Sequence, residues 1–315
     1  MIDTNIAQAV EAADAAACYD ANIKFLLSDK QVLARILKYA VREFQDMALD
    51  DIMASIGNDI EVGTKPVDAG LSNTGRITES NTEDNIPGEG KIFYDIRFTA
   101  YHREIDMKFL INIEAQRSSD PSKLGYHLEN RIIFYLARMI SAQKQTEFYH
   151  SDYDSLKRVR SIWICLDSSE DGDSIEEINL DSRTVFGTKP NPYNIDLMRG
   201  IIIRIRKGEN IKESQNTLIS MLEKLLSKMG AEEKKRILSS EYGMIMTTEL
   251  EGRLQTMCNW SQTIEELATE RGIKKERLNA IERMLRAGAT KEQIILYGYT
   301  EEELLETEKA NLVNA

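Results

Sequence analysis

The chain has 315 residues, of which 42% are hydrophobic and 29% are charged, and its formal net charge is −12. These values predict one large or two smaller domains with a real core, and the negative charge disfavours nonspecific nucleic-acid binding, which depends on Lys and Arg. No apolar run approaches the roughly 20 residues that cross a bilayer, and no signal peptide is expected. Three well-separated cysteines favour a reducing cytoplasm.

The N-terminal part of the chain predicts helices. Residues 1–18 form an alanine-rich lead, and apolar residues then recur at helical spacing from Tyr19 to Ile56. Ser28 is the expected N-cap of a helix over Asp29–Gln45, because its hydroxyl can accept from an unpaired backbone N–H. The following stretch Leu71–Gly90 is rich in Ser, Asn, Thr and Gly, which is typical of a loop.

Alternating or continuous apolar patterns then predict the strands of a sheet. The expected strands are Ile60–Asp68, Lys91–Ala100, Ile105–Gln116, Val159–Leu166 and Gly200–Arg206. An apolar stripe between the third and fourth strands predicts one long helix from Pro121 to about Thr146. Because helices and strands alternate in this order, the sequence predicts an α/β fold with a mixed sheet.

The C-terminal part predicts helices alone. The expected helices are 216–229, 231–240, 247–257, 261–270, 274–287, 290–296 and 300–313. We therefore predict a main domain over 19–215 and an all-helical C-terminal extension over 216–315. The segment Ile281–Leu305 has the form of a helix-turn-helix, but its Glu-rich face is a poor match for phosphate. This favours a packing role or a homodimer formed through the C-terminal helices.

Two carboxylates and one amide fall on neighbouring predicted strands. Asp95 lies in the segment YDIRF, and Glu114 and Gln116 lie in INIEAQ, nineteen residues further along the chain. Because a hairpin's length of chain separates the two segments, these side chains can converge on one divalent metal. Mg²⁺ prefers hard oxygen ligands and keeps several waters, so two or three carboxylates suffice to hold it. Glu43, on the N-terminal helix, is the candidate third carboxylate.

Longer blocks around these residues resemble a known family. The D…(19)…E-x-Q pattern, with the helices before and after it, resembles the PD-(D/E)XK nuclease superfamily. The closer resemblance is to its branch of bacterial recombination-promoting nucleases, also called transposase-like PD-(D/E)XK nucleases. The resemblance starts near Tyr19 and covers nearly everything after it. The linked blocks that carry it are residues 81–98, 109–116, 129–148, 156–166 and 232–251.

This resemblance implies a fold and a set of catalytic roles. The implied fold is a mixed central sheet flanked by helices. Asp95 is then the metal-ligating aspartate, Glu114 is the acid of the E-x-K element, and Gln116 stands at its lysine position. Glu43, in the segment REF, matches the acidic residue of the first helix. A Gln amide accepts no proton at neutral pH, so activation of water falls to the bound Mg²⁺ or Mn²⁺.

The helix after the E-x-Q element carries the expected contacts to DNA, since its polar face borders the site in the superfamily. Arg131 and Arg138 are seven residues apart and share one helical face. The predicted nucleic-acid-binding residues are Arg131, Tyr135, Arg138, Gln143 and Lys144. Tyr135 is equally consistent with a core position, and the arginines are consistent with pairing to Glu129.

Two hypotheses for the function follow. The first is a metal-dependent DNA endonuclease that hydrolyses phosphodiester bonds and is linked to recombination, mobile elements or defence. The second is a catalytically degenerate nuclease fold that binds nucleic acid or protein, which the acidic charge and the missing lysine favour. Under either hypothesis, Glu43 is also consistent with an ordinary helix-surface acid, and Asp46 or Asp50 can then replace it as the third ligand.

Overall fold

The computed structural model describes residues 17–63, 83–86, 90–93, 95–168, 172–188, 195–206 and 213–313. This part of the chain divides into two compact units, of which the larger spans residues 17–258 and the smaller begins at Asn259. Most of the predicted N-terminal lead lies outside the described residues, as do positions 64–68 of the predicted strand Ile60–Asp68.

Three helices and a 3₁₀ turn precede the sheet in the chain. They are α1 (residues 17–27), α2 (Lys30–Ala40), the 3₁₀ turn (Arg42–Phe44) and α3 (Leu49–Ser55). The N-cap of α2 is Asp29, whose side chain accepts from the Gln31 N–H at 2.8 Å. The prediction of Ser28 as the N-cap is wrong by one residue, because the Ser28 hydroxyl donates to the Phe25 carbonyl at the end of α1.

Six of the described strands form one mixed sheet in the order β1-β4-β5-β6-β8-β7. The strands are β1 (Glu61–Val62), β2 (Glu83–Ile86), β3 (Gly90–Phe93), β4 (Ile96–His102), β5 (Met107–Gln116), β6 (Arg158–Ser168), β7 (Ser174–Asn179) and β8 (Met198–Arg206). The central strands β5, β6 and β8 are parallel, and β1, β4 and β7 extend the sheet antiparallel at its two edges. The predicted α/β fold with a mixed sheet flanked by helices is confirmed.

Three stretches differ from the predicted strands and loops. The predicted loop Leu71–Gly90 contains β2, which pairs with β3 in a separate two-stranded sheet. The predicted strand Lys91–Ala100 is interrupted, because the chain bends at Asp95 before β4 begins. Strand β7 was not predicted, since its sequence SIEEIN is too polar to carry a strand signal, and it lies at the edge of the sheet.

The predicted long helix from Pro121 to about Thr146 is two helices, α4 (Pro121–Leu124) and α5 (Leu128–Ser141). They separate at Gly125, which has a φ of +78°. This left-handed conformation is one that glycine adopts without the penalty of a Cβ atom, so the helix ends there. Helix α5 packs its apolar stripe on one face of the sheet, where Ile132 and Leu136 join a core that contains Trp163.

Helices from both ends of the larger unit cover the opposite face of the sheet. They are α1, α2, α6 (Thr217–Leu226), α7 (Ala231–Tyr242) and the first turns of α8 (Thr248–Arg286). Leu222 on α6 and Leu254 on α8 are fully buried in the same core as Ile113 and Ile203 of the sheet. The compact unit therefore continues past the predicted boundary at residue 216, because these helices are needed to cover the sheet.

The smaller unit is helical throughout its described residues. It contains the later part of α8, α9 (Lys291–Leu296) and α10 (Glu301–Val313), so the three helices predicted between 247 and 287 are one. Its core is formed by Ile281, Ile294 and Leu304. No helix in the described part of the chain is long and apolar enough to cross a membrane. The homodimer through the C-terminal helices stays a prediction, which light scattering of the full chain would test.

Candidate metal centre

Two acidic side chains meet where β5 ends and β4 begins. The backbone N–H of Asp95 donates to Glu114 Oε1 at 3.2 Å, and the Asn112 side chain donates to the same oxygen at 3.2 Å. In return, the N–H of Ala115 donates to Asp95 Oδ2 at 3.0 Å. The bend at Asp95 turns its backbone and its carboxylate toward β5, so each acid is positioned by the strand of the other.

Electrostatics at this pair disfavour two negative charges. Glu114 is 3% exposed, and burial together with the neighbouring Asp95 raises the pKa of Glu114 to about 8. Burial also raises the pKa of Asp95, although Lys24 acts in the opposite direction. Two carboxyl groups in one desolvated space cannot both ionise easily without a cation. Neighbouring acids whose pKa values are strongly perturbed are characteristic of functional sites.

Helix α1 contributes two further charged groups to the site. Lys24 Nζ lies 2.9 Å from Asp95 Oδ1 and 2.9 Å from Asp20 Oδ2. Lys24 is 8% exposed, and its burial would lower its pKa, but the two aspartates outweigh that effect and raise it. The acid that the structure brings to this end of the sheet from the N-terminal helices is therefore Asp20.

Arg131, in the first turn of α5, approaches the pair from the other face of the sheet. Its Nη1 donates to the Tyr126 hydroxyl at 2.9 Å and lies 3.4 Å from Gln116 Oε1, while Nη2 donates to the Tyr135 hydroxyl at 3.0 Å. The guanidinium also lies over the Trp163 ring, 5.0 Å from its centroid. The positive charge of Arg131 is thereby fixed beside Gln116. It acts to lower the pKa of Glu114, against the larger effects of burial and Asp95.

Glu43 does not belong to this constellation. Its backbone carbonyl accepts from His102 Nε2 at 2.8 Å, and His102 ends β4, seven residues after Asp95. At about 3.4 Å per strand residue, on the order of 20 Å separates Glu43 from Asp95. The Glu43 carboxylate instead accepts from Arg158 at 3.1 Å and from Arg160. The expectation that Glu43 is the third metal ligand is wrong, because the 3₁₀ turn packs at the opposite end of the sheet.

The other predicted contacts to DNA divide into one near the site and three away from it. Tyr135 is 7% exposed, packs edge-on against Trp163 at 5.2 Å, and positions Arg131 through its hydroxyl. Arg138 is buried, and Gln143 is 1% exposed with its amide bonded to both backbone groups of Lys157. Gln143 is therefore a structural residue and not a DNA contact.

Lys144 is exposed but lies past the far end of α5. It is thirteen residues from Arg131, and residues 131–141 of that separation lie within α5. At about 1.5 Å per helical residue, the two are on the order of 15–20 Å apart. A phosphate held beside Asp95 and Arg131 is therefore out of reach of Lys144, although a longer DNA duplex can still contact it.

The donor set fits a hard divalent cation. Asp95, Glu114 and the Gln116 side chain provide oxygens of the type that Mg²⁺ and Mn²⁺ bind, and Mg²⁺ is commonly held by one or two carboxylates with water completing the shell. The raised pKa of Glu114 is also consistent with a cation site, since a bound cation would offset the cost of ionising this buried acid. Within the described residues, no group of three or more His, Cys, Asp or Glu side chains is placed to hold a metal.

The structure adds to the site two polar residues, Lys24 and Asn112, that are not among the predicted site residues. Lys24 forms an i,i+4 pair with Asp20, which is an ordinary surface pattern on a helix and carries no information about a partner across the fold. Asn112 did have a signal, because it shares the polar alternation of β5 with Glu114 and Gln116. Its complete burial, with one amide hydrogen on Glu114, assigns it to the site.

Comparison of the chain with protein-family models, with curated proteins and with solved structures gives no match.

Proposed function

We propose that this chain is a divalent-metal-dependent DNA endonuclease of the PD-(D/E)XK type, as its sequence resemblance implies. The observation that carries the proposal is the contact of the buried Glu114 with the half-buried Asp95 at the end of β5, in which the pKa of Glu114 is raised to about 8. A fold gains nothing in stability from two acids placed together in a desolvated position. Such a pair is useful where a cation has to bind.

The chemistry that the site would support is hydrolysis of a phosphodiester. A bound Mg²⁺ or Mn²⁺ supplies Lewis acidity and lowers the pKa of water. Asp95 and Glu114 would hold it, with Asn112 and the Ala115 N–H keeping the two carboxylates in place. The neutral Gln116 amide can orient water or a phosphate oxygen by hydrogen bonding, but it cannot take a proton.

Arg131 is the residue that we assign to the phosphate. Its guanidinium is fixed by two tyrosine hydroxyls and by the Trp163 ring, and it stands beside Gln116. An arginine with a preorganised planar fork matches phosphate geometry and needs little reorganisation during the reaction. The fixed positive charge of Arg131 would attract phosphate locally, although the net charge of the chain is −12 and repels it overall.

Plasmid cleavage tests the proposal. Wild type is expected to nick or linearise supercoiled DNA with Mg²⁺ or Mn²⁺ and to be inactive in EDTA. Asp95→Asn, which keeps the shape of the side chain, is expected to lose at least about 100-fold in rate. The matched control is Asp106→Asn in the exposed β4–β5 turn, which should cleave like wild type. Equal cleavage by Asp95→Asn and wild type would overturn the proposal.

A nucleic-acid-binding protein without catalysis is the second candidate. It is favoured by Gln116 at the lysine position and by a centre with two carboxylates and one amide. For this function, DNA binding should be unchanged by Glu114→Gln, and no cleavage should occur with any divalent metal. A fluorescence-anisotropy titration of labelled DNA with both proteins separates the two candidates, because the nuclease requires the metal and the acid.

A further inference from the structure

Lys24 sits in the position that a metal ligated by Asp95 would need. Asp95 Oδ2 already accepts from the Ala115 N–H at 3.0 Å, and Oδ1 carries the Lys24 ammonium at 2.9 Å. A divalent ion that binds Asp95 through Oδ1 therefore competes directly with this ammonium. Since a compact ammonium and a small hard cation have the same sign of charge, only one of them is favoured at that oxygen.

The geometry of α1 leaves the ammonium somewhere to go. Lys24 Nζ also lies 2.9 Å from Asp20 Oδ2, and Asp20 is one helical turn earlier, with its side chain 34% exposed. A lysine side chain has a flexible four-carbon stem, so its charge can move while the helix stays in place. Asp20 can thus keep Lys24 at the rim of the site after its bond to Asp95 is broken.

We propose that Lys24 is an exchangeable cation of this centre: it neutralises Asp95 in the metal-free protein, and it moves to a phosphate oxygen of the DNA substrate when a divalent ion binds. The inference rests on the proposed nuclease function and deepens it. Gln116 carries no charge at the position where the E-x-K element has its lysine. Lys24 then supplies from α1 the positive charge that β5 lacks.

A purely structural role for the same ion pair predicts the opposite result. If Lys24 only orients Asp95, its removal disorders a metal ligand and leaves the affinity for metal unchanged or weaker. If Lys24 competes with the metal, its removal strengthens metal binding while it weakens the reaction with DNA. The sign of the change in metal affinity therefore decides between the two roles.

Calorimetric titration of the full-length protein with Mn²⁺ measures that sign. Lys24→Met is expected to bind Mn²⁺ roughly tenfold more tightly than wild type, because a repelling charge within about 4 Å is removed. At saturating Mn²⁺ its plasmid cleavage should nevertheless fall roughly tenfold or more. The matched control is Lys108→Met, which removes a lysine–carboxylate pair with Glu147 (2.7 Å) outside the site and should change neither quantity.

Thermal unfolding in EDTA and in Mn²⁺ is a second readout. Lys24→Met should be less stable than wild type in EDTA, and its melting temperature should rise more on addition of Mn²⁺. If the single variant does not fold without metal, the double variant Asp20→Asn with Lys24→Met removes one acid together with the lysine, and the same titration is performed on it.

The outcomes separate this inference from the proposed function. Unchanged or weaker Mn²⁺ binding by folded Lys24→Met, beside a cleaving wild type, overturns the exchange and leaves the nuclease standing. Tighter binding by the variant supports the exchange, including the case in which Mn²⁺ binds the variant and not wild type. No Mn²⁺ binding by either protein, with no cleavage, overturns both.

Discussion

The two ends of the central sheet both bury charged groups, but they balance them differently. At the end near the β4–β5 turn, burial would raise the pKa of Glu43, yet the contacts with Arg160 and its neighbours outweigh burial and hold that pKa below its ordinary value. At the other end, burial and the adjacent Asp95 raise the pKa of Glu114 to about 8. Thus one buried acid is kept ionised by fixed arginines, whereas the other is pushed toward its neutral form.

This contrast identifies which cluster is structural and which is suited to binding a cation. The arginine cluster is closed, since Arg160 is fully buried and Arg199 pairs with Asp196 and with Glu177 at 3.2 Å. Each of these two guanidinium groups is therefore held between two acids. The carboxylate pair of Asp95 and Glu114 is offset by Lys24, which lies on a flexible stem beside Asp95, and by the nearby charge of Arg131, which acts on Glu114. A buried acid therefore points to function only when its counter-charge is incomplete or movable.

The largest expected effect is on stability at the arginine cluster. Glu43→Gln should lower the free energy of unfolding by about 3–5 kcal/mol, because it removes one of the two carboxylates that pair with the fully buried Arg160 and leaves Asp196, at 3.4 Å, to balance that charge. Urea unfolding at pH 7 measures this loss, with the exposed Glu104→Gln as a control that should stay at the wild-type value. The folded fraction of Glu43→Gln should cleave plasmid at the wild-type specific rate. Loss of cleavage with full stability would place Glu43 in the active centre after all.

The same substitution at the other end should have the reverse pattern. Glu114→Gln is expected to reduce plasmid cleavage by at least about 100-fold, since it removes one of the two carboxylates that would hold the metal. Its stability in EDTA at pH 8 should equal or exceed that of wild type, because an acid that resists ionisation is replaced by a neutral amide. Urea unfolding measures the expected stability, and a cleavage time course measures the expected loss of activity. A variant that is both unstable and active would contradict this assignment.

The two acids should also give stability opposite dependences on pH. The raised pKa of Glu114 means that the folded protein holds a proton that the unfolded chain releases near pH 4.5, the ordinary pKa of a glutamate. Stability in EDTA is therefore greatest below that value and is lost as pH rises toward about 8, by at most about 1.4 kcal/mol per pH unit. Glu43 has a lowered pKa, so its contribution is present above 4.5 and is lost at acidic pH.

Urea unfolding of wild type and Glu114→Gln in EDTA, at pH values from 5 to 8, measures the contribution of Glu114. The wild-type stability should fall relative to the variant across this range, and Mn²⁺ at pH 8 should restore it. Parallel curves for the two proteins would show that burial and Asp95 do not raise the pKa of Glu114.

The smallest expected effect concerns DNA affinity. Arg131→Met should weaken DNA binding roughly tenfold and should reduce the slope of log affinity against log salt by about one, because one phosphate contact is lost. The control Arg103→Met removes an exposed arginine from the β4–β5 turn, at the opposite end of the sheet from Asp95. Anisotropy titrations at several salt concentrations measure both the DNA affinity and its salt slope. Equal slopes for Arg131→Met and wild type would exclude Arg131 from the phosphate contact.

Local patterns were sufficient for much of the fold. The alternation in β4 and β5 and the apolar run of β6 predicted three neighbouring strands, because the pleat repeats every two residues wherever one face is buried. The spacing between Asp95 and Glu114 also predicted their meeting, since a hairpin brings the ends of its strands together. The break at Gly125 and the polar strand β7 were missed, because each depends on a turn or a sheet edge more than on hydrophobic periodicity.

The sequence by itself therefore determined the alternation of elements, the mixed sheet and the pairing of two acids on adjacent segments. Only the tertiary structure decided which end of the sheet each helix reaches. Lys24 reaches Asp95 and Glu43 reaches Arg160 across separations of more than 70 residues along the chain. Helical periodicity states which side of a helix is buried, but it carries no information about the direction in which that helix lies across the sheet. That direction follows from packing between distant segments, and it separates Glu43 from the two acids that we propose to hold a metal.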